Sequence, residues 1–302
     1  MIKIQDFLSN IKLSDSNKAD LEYIWGELDS TLKKISEYSE DIQLKFLRAS
    51  LLSDLKNSFD IENALYSPYI FKMYDEGLIT NSKLSVELIR LLNKNIRAKE
   101  RIMTEVEFEK SSRTNLLNET YEEYCAHQKY NLEGNFRLGM VWVGGDTIDK
   151  AKFIPPTSEE IPEYIDDFVK FYNSEYSINP ELEDPIVKAA LLHVLFIKIH
   201  PFSDGNGRVA RILINGYLSK GFNEKLGLNF TYPPINLSSS FNRSKDDYSE
   251  NQNAILFENN VDNNEAINKW VRYIIYCLEE QVYYLNSKFE GYDKLANRGK
   301  HI

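Results

Sequence analysis

The sequence predicts a mostly α-helical fold with one β-hairpin. Three features carry that expectation. Apolar residues recur at helical spacing through the first hundred positions, where proline and glycine are scarce. One segment, "DPIVKAALLHVLFIKI", is apolar on nearly every side, as a central buried helix would be. A single pair of β-prone runs flanks Gly144-Gly145.

In chain order, "KADLEYIWGELDSTLKKISEYS" sets Leu21, Ile24, Trp25, Leu28 and Leu32 on one helical face. "DIQLKFLRASLLSDLKNSFDIENALY" aligns Leu44, Leu47, Leu51 and Leu55 and reads as one helix or two. "SKLSVELIRLLNKNIRAKERIM" predicts a further helix, and the aromatic residues of all three are read as core. The hairpin follows in "NFRLGMVWVGGDTIDKAKFIPP", where Pro155-Pro156 stops the second strand. "TSEEIPEYIDDFVKFYNS" restarts a helix with Thr157 or Ser158 as its N-cap and acids in its first turn. The apolar segment comes next. It is too short to span a bilayer and contains Lys198, so a buried helix is expected. "RVARILINGYLSKG" is helical, with Gly221 as its expected C-cap. "NEAINKWVRYIIYCLEEQVYYLNSKF" is the last amphipathic helix.

The 302 residues, 42% of them hydrophobic, suffice for one large domain or two modest ones. A net charge of -10 argues against nucleic acid or an anionic membrane as the main partner. Two cysteines, Cys125 and Cys277, give no disulfide framework and are expected to be inert core thiols. "MIKIQDFLSN" lacks the apolar stretch of a signal peptide, so a cytoplasmic location is expected. His127, His193 and His301 have no metal-cage spacing, and His193 is expected in the core with a hydrogen-bond partner.

The chemistry concentrates in "HPFSDGNGRVAR", His200 to Arg211. Pro201 ends the preceding helix. Gly205-Asn206-Gly207 allows successive N–H groups to converge on one anion, and the next helix starts at about Arg208 with its positive end at the same spot. Arg208 and Arg211 lie on adjacent turns of one face, within reach of phosphate oxygens. Asp204 supplies one hard oxygen, which suits Mg²⁺ that takes its other ligands from phosphates and water. His200 is largely neutral at physiological pH and can accept a proton from a hydroxyl. A base, an acid, an anion nest and paired cations together describe phosphoryl or nucleotidyl transfer. "DGNG" alone would be only a turn.

"HPFSDGNGRVAR" resembles the signature of the Fic family, His-Pro-Phe-x-Asp/Glu-Gly-Asn-Gly-Arg-x-x-Arg, with every specified position filled. "FRLGMVWVGG" and "AKFIPPTSEEIPEYIDDFVKFYN" are similar to the flap hairpin and following helix of that family, so the resemblance covers about residues 131 to 280. It implies a Fic-type helical bundle with a β-hairpin flap near the active site. The implied activity is transfer of AMP from ATP to a Tyr, Thr or Ser hydroxyl of a target protein. His200 would then be the base and Asp204 would hold Mg²⁺ against the α- and β-phosphates. Gly205, Asn206 and Gly207 would form the anion hole, with Arg208 on the β-phosphate side and Arg211 on the γ-phosphate. Residues 139–154, with Val141, Trp142, Val143, Gly144 and Gly145 at their centre, would dock the target by strand addition. Tyr248 is the expected adenine contact.

The resemblance also implies a brake. Many members carry a helix with Ser/Thr-x-x-x-Glu-Gly/Asn, whose glutamate pairs with the second motif arginine. "SFDIEN", Ser58 to Asn63, matches that pattern, which assigns Ser58, Glu62 and Asn63 as inhibitory. "NSKFEG", with Glu290, has the spacing without the Ser/Thr and ranks second. The organisation expected is an N-terminal helical region over 1–130, a catalytic core over 131–285 and a tail over 286–302. Removal of AMP, transfer of another phosphate-containing group, and a nucleotide-binding module without turnover remain as alternatives. The target stays unidentified, and self-modification and a homodimer stay open.

Overall fold

The computed structural model describes residues 3–62, 136–230, 234–258 and 261–298. The helix expected over 82–103, and Asn63, Cys125, His127 and His301, lie outside those residues. Among the described residues the chain forms helices α1 (Ile4–Ser9), α2 (Asp15–Ser36), α3 (Glu40–Ile61), α4 (Ile161–Tyr172), α5 (Pro185–Ile199), α6 (Asn206–Leu226), α7 (Ser238–Arg243), α8 (Lys245–Ala254) and α9 (Asn264–Arg298).

The core is built around α5. Asp184 caps it, its Oδ1 accepting from Ile186 N at 3.0 Å, and Pro185 sits in the first turn where no N–H is needed. Every residue from 186 to 196 is buried, against α6 on one side and α4 and α9 on others. Each fully buried Leu, Ile, Val or Phe of this helix contributes about 1.5–3 kcal/mol. Its continuous apolarity is thus the demand of a helix packed on all sides. Among the described residues no helix is long and apolar enough to cross a membrane.

Several boundaries differ from the sequence reading. The stretch read as one helix or two is one, α3, and it packs on α6 and α7. Helix α4 begins at Ile161 rather than after Thr157 or Ser158. Glu160 accepts from both Thr157 N and Thr157 Oγ1, at 2.8 and 3.0 Å, and this winds residues 157–160 into a separate turn. Gly221 does not end α6. The helix runs to Leu226 and closes at Gly227, whose φ of 65° needs no side chain. Gly221 serves packing instead, because a Cβ there would fall 2.4 Å from Pro185 Cβ of α5. The last helix continues past 285 to Arg298, so the expected tail prolongs α9, which lies along α2.

The expected β-hairpin is not formed as a pair of strands among the described residues, which show a single turn closed by one bridge. Val143 N donates to Phe153 O at 3.0 Å and Lys152 N donates to Val143 O at 2.8 Å, a single antiparallel bridge. Gly144 and Gly145 turn the chain there with φ of 73° and 81°. No extended strand flanks the bridge among the described residues.

Candidate active site

The site forms where α5 ends and α6 begins. His200 closes α5 in the left-handed region, φ 49° and ψ 58°, a conformation that is uncommon away from glycine. Two backbone contacts hold it there. Its N–H donates to Phe196 O at 3.0 Å, and its carbonyl accepts from Arg137 Nε at 2.8 Å. Its ring is oriented too. Nδ1 lies 3.3 Å from Ile197 O, and a carbonyl only accepts, so Nδ1 carries the proton and Nε2 keeps its lone pair. Burial, aided by the charge of Arg137, lowers the imidazole pKa to about 4, so the ring is neutral at physiological pH.

The loop from 201 to 205 is fixed by Asn206. Its Oδ1 accepts from Phe202 N at 2.9 Å and its Nδ2 donates to Phe202 O at 2.7 Å. The Asn206 side chain thus ties the loop and leaves its backbone N–H in the first turn of α6. Gly205 takes φ 81° at the start of α6. Asp204 is 56% exposed; its Oδ2 meets Arg208 Nη2 at 2.9 Å and its Oδ1 accepts from Gly205 N at 2.7 Å.

The two arginines converge on a carboxylate from far along the chain. Glu62, just past α3, places Oε1 2.7 Å from Arg211 Nη2 and Oε2 2.9 Å from Arg208 Nε. Arg211 also donates to Ser58 Oγ at 2.8 Å through Nε and to Ser58 O at 2.7 Å through Nη2. Arg208 and Arg211 are 1% and 2% exposed. A Cβ on Gly207 would fall 2.4 Å from Glu62 Oε1, so only glycine lets the carboxylate approach the first turn of α6. The expected Ser58–Glu62 arrangement thus meets the motif, whereas Glu290 is exposed beside Tyr23 and Glu27 in a cleft between α2 and α9.

Helix α3 is seated by polar anchors as well as by its apolar face. Buried Asp54 accepts from Asn215 Nδ2 at 3.2 Å and Ser238 N at 3.1 Å. Asn57 Oδ1 accepts from Asn242 Nδ2 at 2.9 Å. Behind Arg211 stands an aromatic cluster in which His193 Nε2 meets Tyr248 Oη at 2.9 Å. His193 fits the expectation of a partnered core histidine, and burial lowers its pKa to about 3. Tyr248, the expected adenine contact, is buried there and stacks on Phe241, so it offers no open wall to a base in this conformation. Cys277 is a buried thiol whose pKa burial pushes up to about 12.

The hairpin covers the His200 side. Phe153 meets the His200 ring edge-on at 6.3 Å between centroids. Met140 and Trp142 are exposed while Val141 and Val143 are half-buried, so alternate residues face opposite ways. Gly144 and Gly145 sit at the exposed turn. Sequence reasoning did not find Arg137. Besides the His200 carbonyl it donates to Gly139 O at 2.9 Å and to Pro156 O, so one guanidinium joins the hairpin base to the loop of the motif. Asp54 was missed as well. Arg137 stands between Phe136 and Leu138, a charge flanked by apolar residues, whereas Asp54 lies in a polar stretch that carries no such signal.

Residues 104–218 match the Fic/DOC family, a segment that contains the whole His200–Arg211 motif. The chain is 30% identical over 146 residues to "Protein adenylyltransferase Fic" of Aedes aegypti, covering 48% of this chain and 23% of that protein. It is 38% identical over 82 residues to "Protein adenylyltransferase fic-1" of Caenorhabditis elegans, covering 27% of this chain and 14% of that protein. The matches thus span a quarter or less of these curated relatives. A Fic domain containing signaling protein from Bacteroides thetaiotaomicron superposes with a TM-score of 0.64 at 19% identity, over 90% of this chain and 97% of that one. Fic-1 from C. elegans gives 0.60 at 17% identity, over 91% of this chain and 73% of that one. At these identities the likeness establishes the fold.

Proposed function

We propose that this chain, whose residues 104–218 match the Fic/DOC family, is a protein adenylyltransferase that moves AMP from ATP to a hydroxyl side chain of a target protein and is restrained by Glu62. One observation carries the reading. A carboxylate from outside the motif bridges Arg208 and Arg211 at the first turn of α6, beside an imidazole with a free Nε2. Two buried guanidiniums at a helix N-terminus form a seat for anionic oxygens. Glu62 takes that seat in the resting protein and a triphosphate takes it in the working one.

In this reading Arg208 and Arg211 hold the β- and γ-phosphate oxygens, and the first-turn N–H groups of α6 receive the rest of the charge. His200 Nε2 accepts the proton of the acceptor hydroxyl as its oxygen attacks the α-phosphorus in line, and pyrophosphate leaves. Among the described residues no group of three or more His, Cys, Asp or Glu forms a cage for a metal. The donor set instead fits Mg²⁺ held by Asp204 alone together with phosphate and water oxygens. The ion would neutralise phosphate charge there. Arg137 fixes the carbonyl side of His200 and the hairpin base together, so base and hairpin move as one. The exposed Met140 and Trp142 and the free outer edge of the hairpin suit strand addition by the target.

The test is incubation with ATP labelled at the α-phosphate, Mg²⁺ and a host lysate. Label enters protein with the wild type, enters faster with Glu62→Gly and does not enter with His200→Ala. Absence of label from protein with both wild type and Glu62→Gly overturns the assignment.

A further inference from the structure

Phe153, which meets the His200 ring, also lines a pocket that the nucleotide reading does not use. It is a cavity of ≈ 230 Å³ between the second arm of the hairpin, the start of α4 and the chain after α8. Lys198, two residues before His200 on α5, lines it and is 2% exposed. Among the described residues its ammonium has no hydrogen-bond or ion-pair partner. Its one contact is the face of Phe153, 4.6 Å from Nζ to the ring centroid. Tyr164 and Phe257 supply apolar walls.

A buried ammonium without a counter-ion is unfavourable, and an incoming anion reverses that. Among the described residues none of the other charges at the pocket pairs directly with this one: Glu160 accepts from Thr157 N and Oγ1, and Lys152 and Glu258 are exposed. The volume admits one side chain and is smaller than the roughly 300 Å³ at which small-molecule sites begin. The ring of Phe153 meets both the Lys198 ammonium and the His200 imidazole, so the pocket adjoins the base through one shared aromatic ring. In an extended segment, side chains on one face recur about every 7 Å. A residue near the acceptor hydroxyl in sequence can therefore reach this pocket while the hydroxyl faces His200.

We propose that this pocket receives a carboxylate side chain of the acceptor segment, with Lys198 as its counter-charge, so that Lys198 sets a preference for acidic acceptor sequences. The inference rests on the adenylyltransferase reading for its biological use, but binding can be tested without turnover. Burial lowers the lysine pKa to about 8, so the amine remains mostly cationic at neutral pH.

The first experiment follows the lysine side-chain NMR signals of the full chain, with Lys198 assigned by its loss in Lys198→Met. The probes are a blocked glutamate-containing tripeptide, its glutamine counterpart, and sodium acetate. The expected result is a saturable shift of the Lys198 signal by the glutamate peptide, about tenfold weaker with glutamine, a factor equal to about 1.4 kcal/mol. No shift overturns the proposal. An equal response to acetate marks a free-anion site and overturns the specificity claim. Lys198→Arg, which keeps the charge, retains binding and guards against a Met variant that fails to fold. The second experiment offers Glu62→Gly a peptide library with a fixed hydroxyl residue, Mg²⁺ and α-labelled ATP. Labelled peptides enriched in Asp or Glu near the acceptor, with the enrichment lost in Lys198→Met, support the proposal. Labelling without acidic enrichment refutes it and leaves the adenylyltransferase reading intact. Absence of any labelling counts against that reading, while the NMR result still decides on the pocket.

Discussion

Replacing Glu62 by glycine is expected to loosen the resting protein and to increase AMP transfer. The carboxylate is 24% exposed and meets Arg211 Nη2 at 2.7 Å and Arg208 Nε at 2.9 Å, with both arginines sealed from solvent. Removing one partner of a buried ion pair costs about 3–5 kcal/mol, because a charge is left buried without compensation. The partial exposure of Glu62 moves the expectation to about 2–3 kcal/mol. At roughly 2–4 °C per kcal/mol in a large domain, the melting temperature without nucleotide falls by about 4–12 °C. Mg²⁺ and ATP then restore more stability to the variant than to the wild type, since no carboxylate has to leave first. Saturation at a hundredfold excess over Kd returns about 2.7 kcal/mol. Differential scanning fluorimetry with and without Mg²⁺ and ATP reads the first two effects, and α-labelled ATP reads the third. Glu62→Gln keeps an amide oxygen near Arg211 and lacks the charge, and its results fall between. Unchanged melting, unchanged ATP protection and unchanged transfer in Glu62→Gly would refute the reasoning.

Four further outcomes follow from the same geometry. His200→Ala abolishes label transfer while melting stays within a few degrees of wild type, and the acid limb of wild-type transfer lies below the ordinary histidine pKa of about 6.5. Arg137→Met removes the donor shared by three carbonyls and destabilises by about 2–4 kcal/mol; it lowers kcat more than it raises the KM for ATP, as steady-state assays will read. Asp54→Ala leaves Asn215 and Ser238 N without their acceptor and frees α3, so transfer rises although Glu62 is intact, as the labelling assay reads. His193 governs part of the acid stability. Its folded pKa is lowered to about 3, so above pH 6.5 the ring is neutral in both states and adds no pH dependence. Between 6.5 and 3 the unfolded chain takes up a proton that the folded ring refuses, and about 1.4 kcal/mol is lost per pH unit. Urea midpoints at pH 7, 6 and 5 show this slope in wild type and less of it in His193→Gln.

The helices with a single apolar face were legible, as was α5, because burial on one side or on all sides leaves a period in the sequence. The motif stood out because a base, an acid, a glycine-flanked turn and two arginines occur in fixed order within twelve residues, and the structure brings Arg208 and Arg211 together at the start of α6. Glu62 was reached through a short pattern whose meaning came from resemblance, and the geometry adds that it meets both arginines. What was not legible depends on distant partners. Gly221 looks like a C-cap locally, yet it is small because Pro185 presses on it. The bracing of the 201–205 loop by the Asn206 side chain on Phe202 left no mark in the sequence either. Tyr248 follows a polar stretch that suggests a surface, yet it turns inward to His193. Arg137 and Asp54 join elements more than sixty residues apart, and no local period reports such a bond.

On the proposed reading, the seat at the start of α6 makes a brake and a stabilising contact coincide in one residue, Glu62. Two guanidiniums placed for phosphate must be buried to grip it, and buried cations at a helix N-terminus repel one another when the seat is empty. A resting protein therefore needs an anion there. A carboxylate fixed to the chain at the end of α3 supplies one at high effective concentration. In that reading the contacts that stabilise the fold are the same ones that would block the triphosphate, so Glu62 tunes neither effect alone. Asp54 and Asn57 hold α3 without touching the arginines, and they separate the two. If Glu62 is the brake, control would have its leverage on the docking of α3, which carries the carboxylate to the arginines.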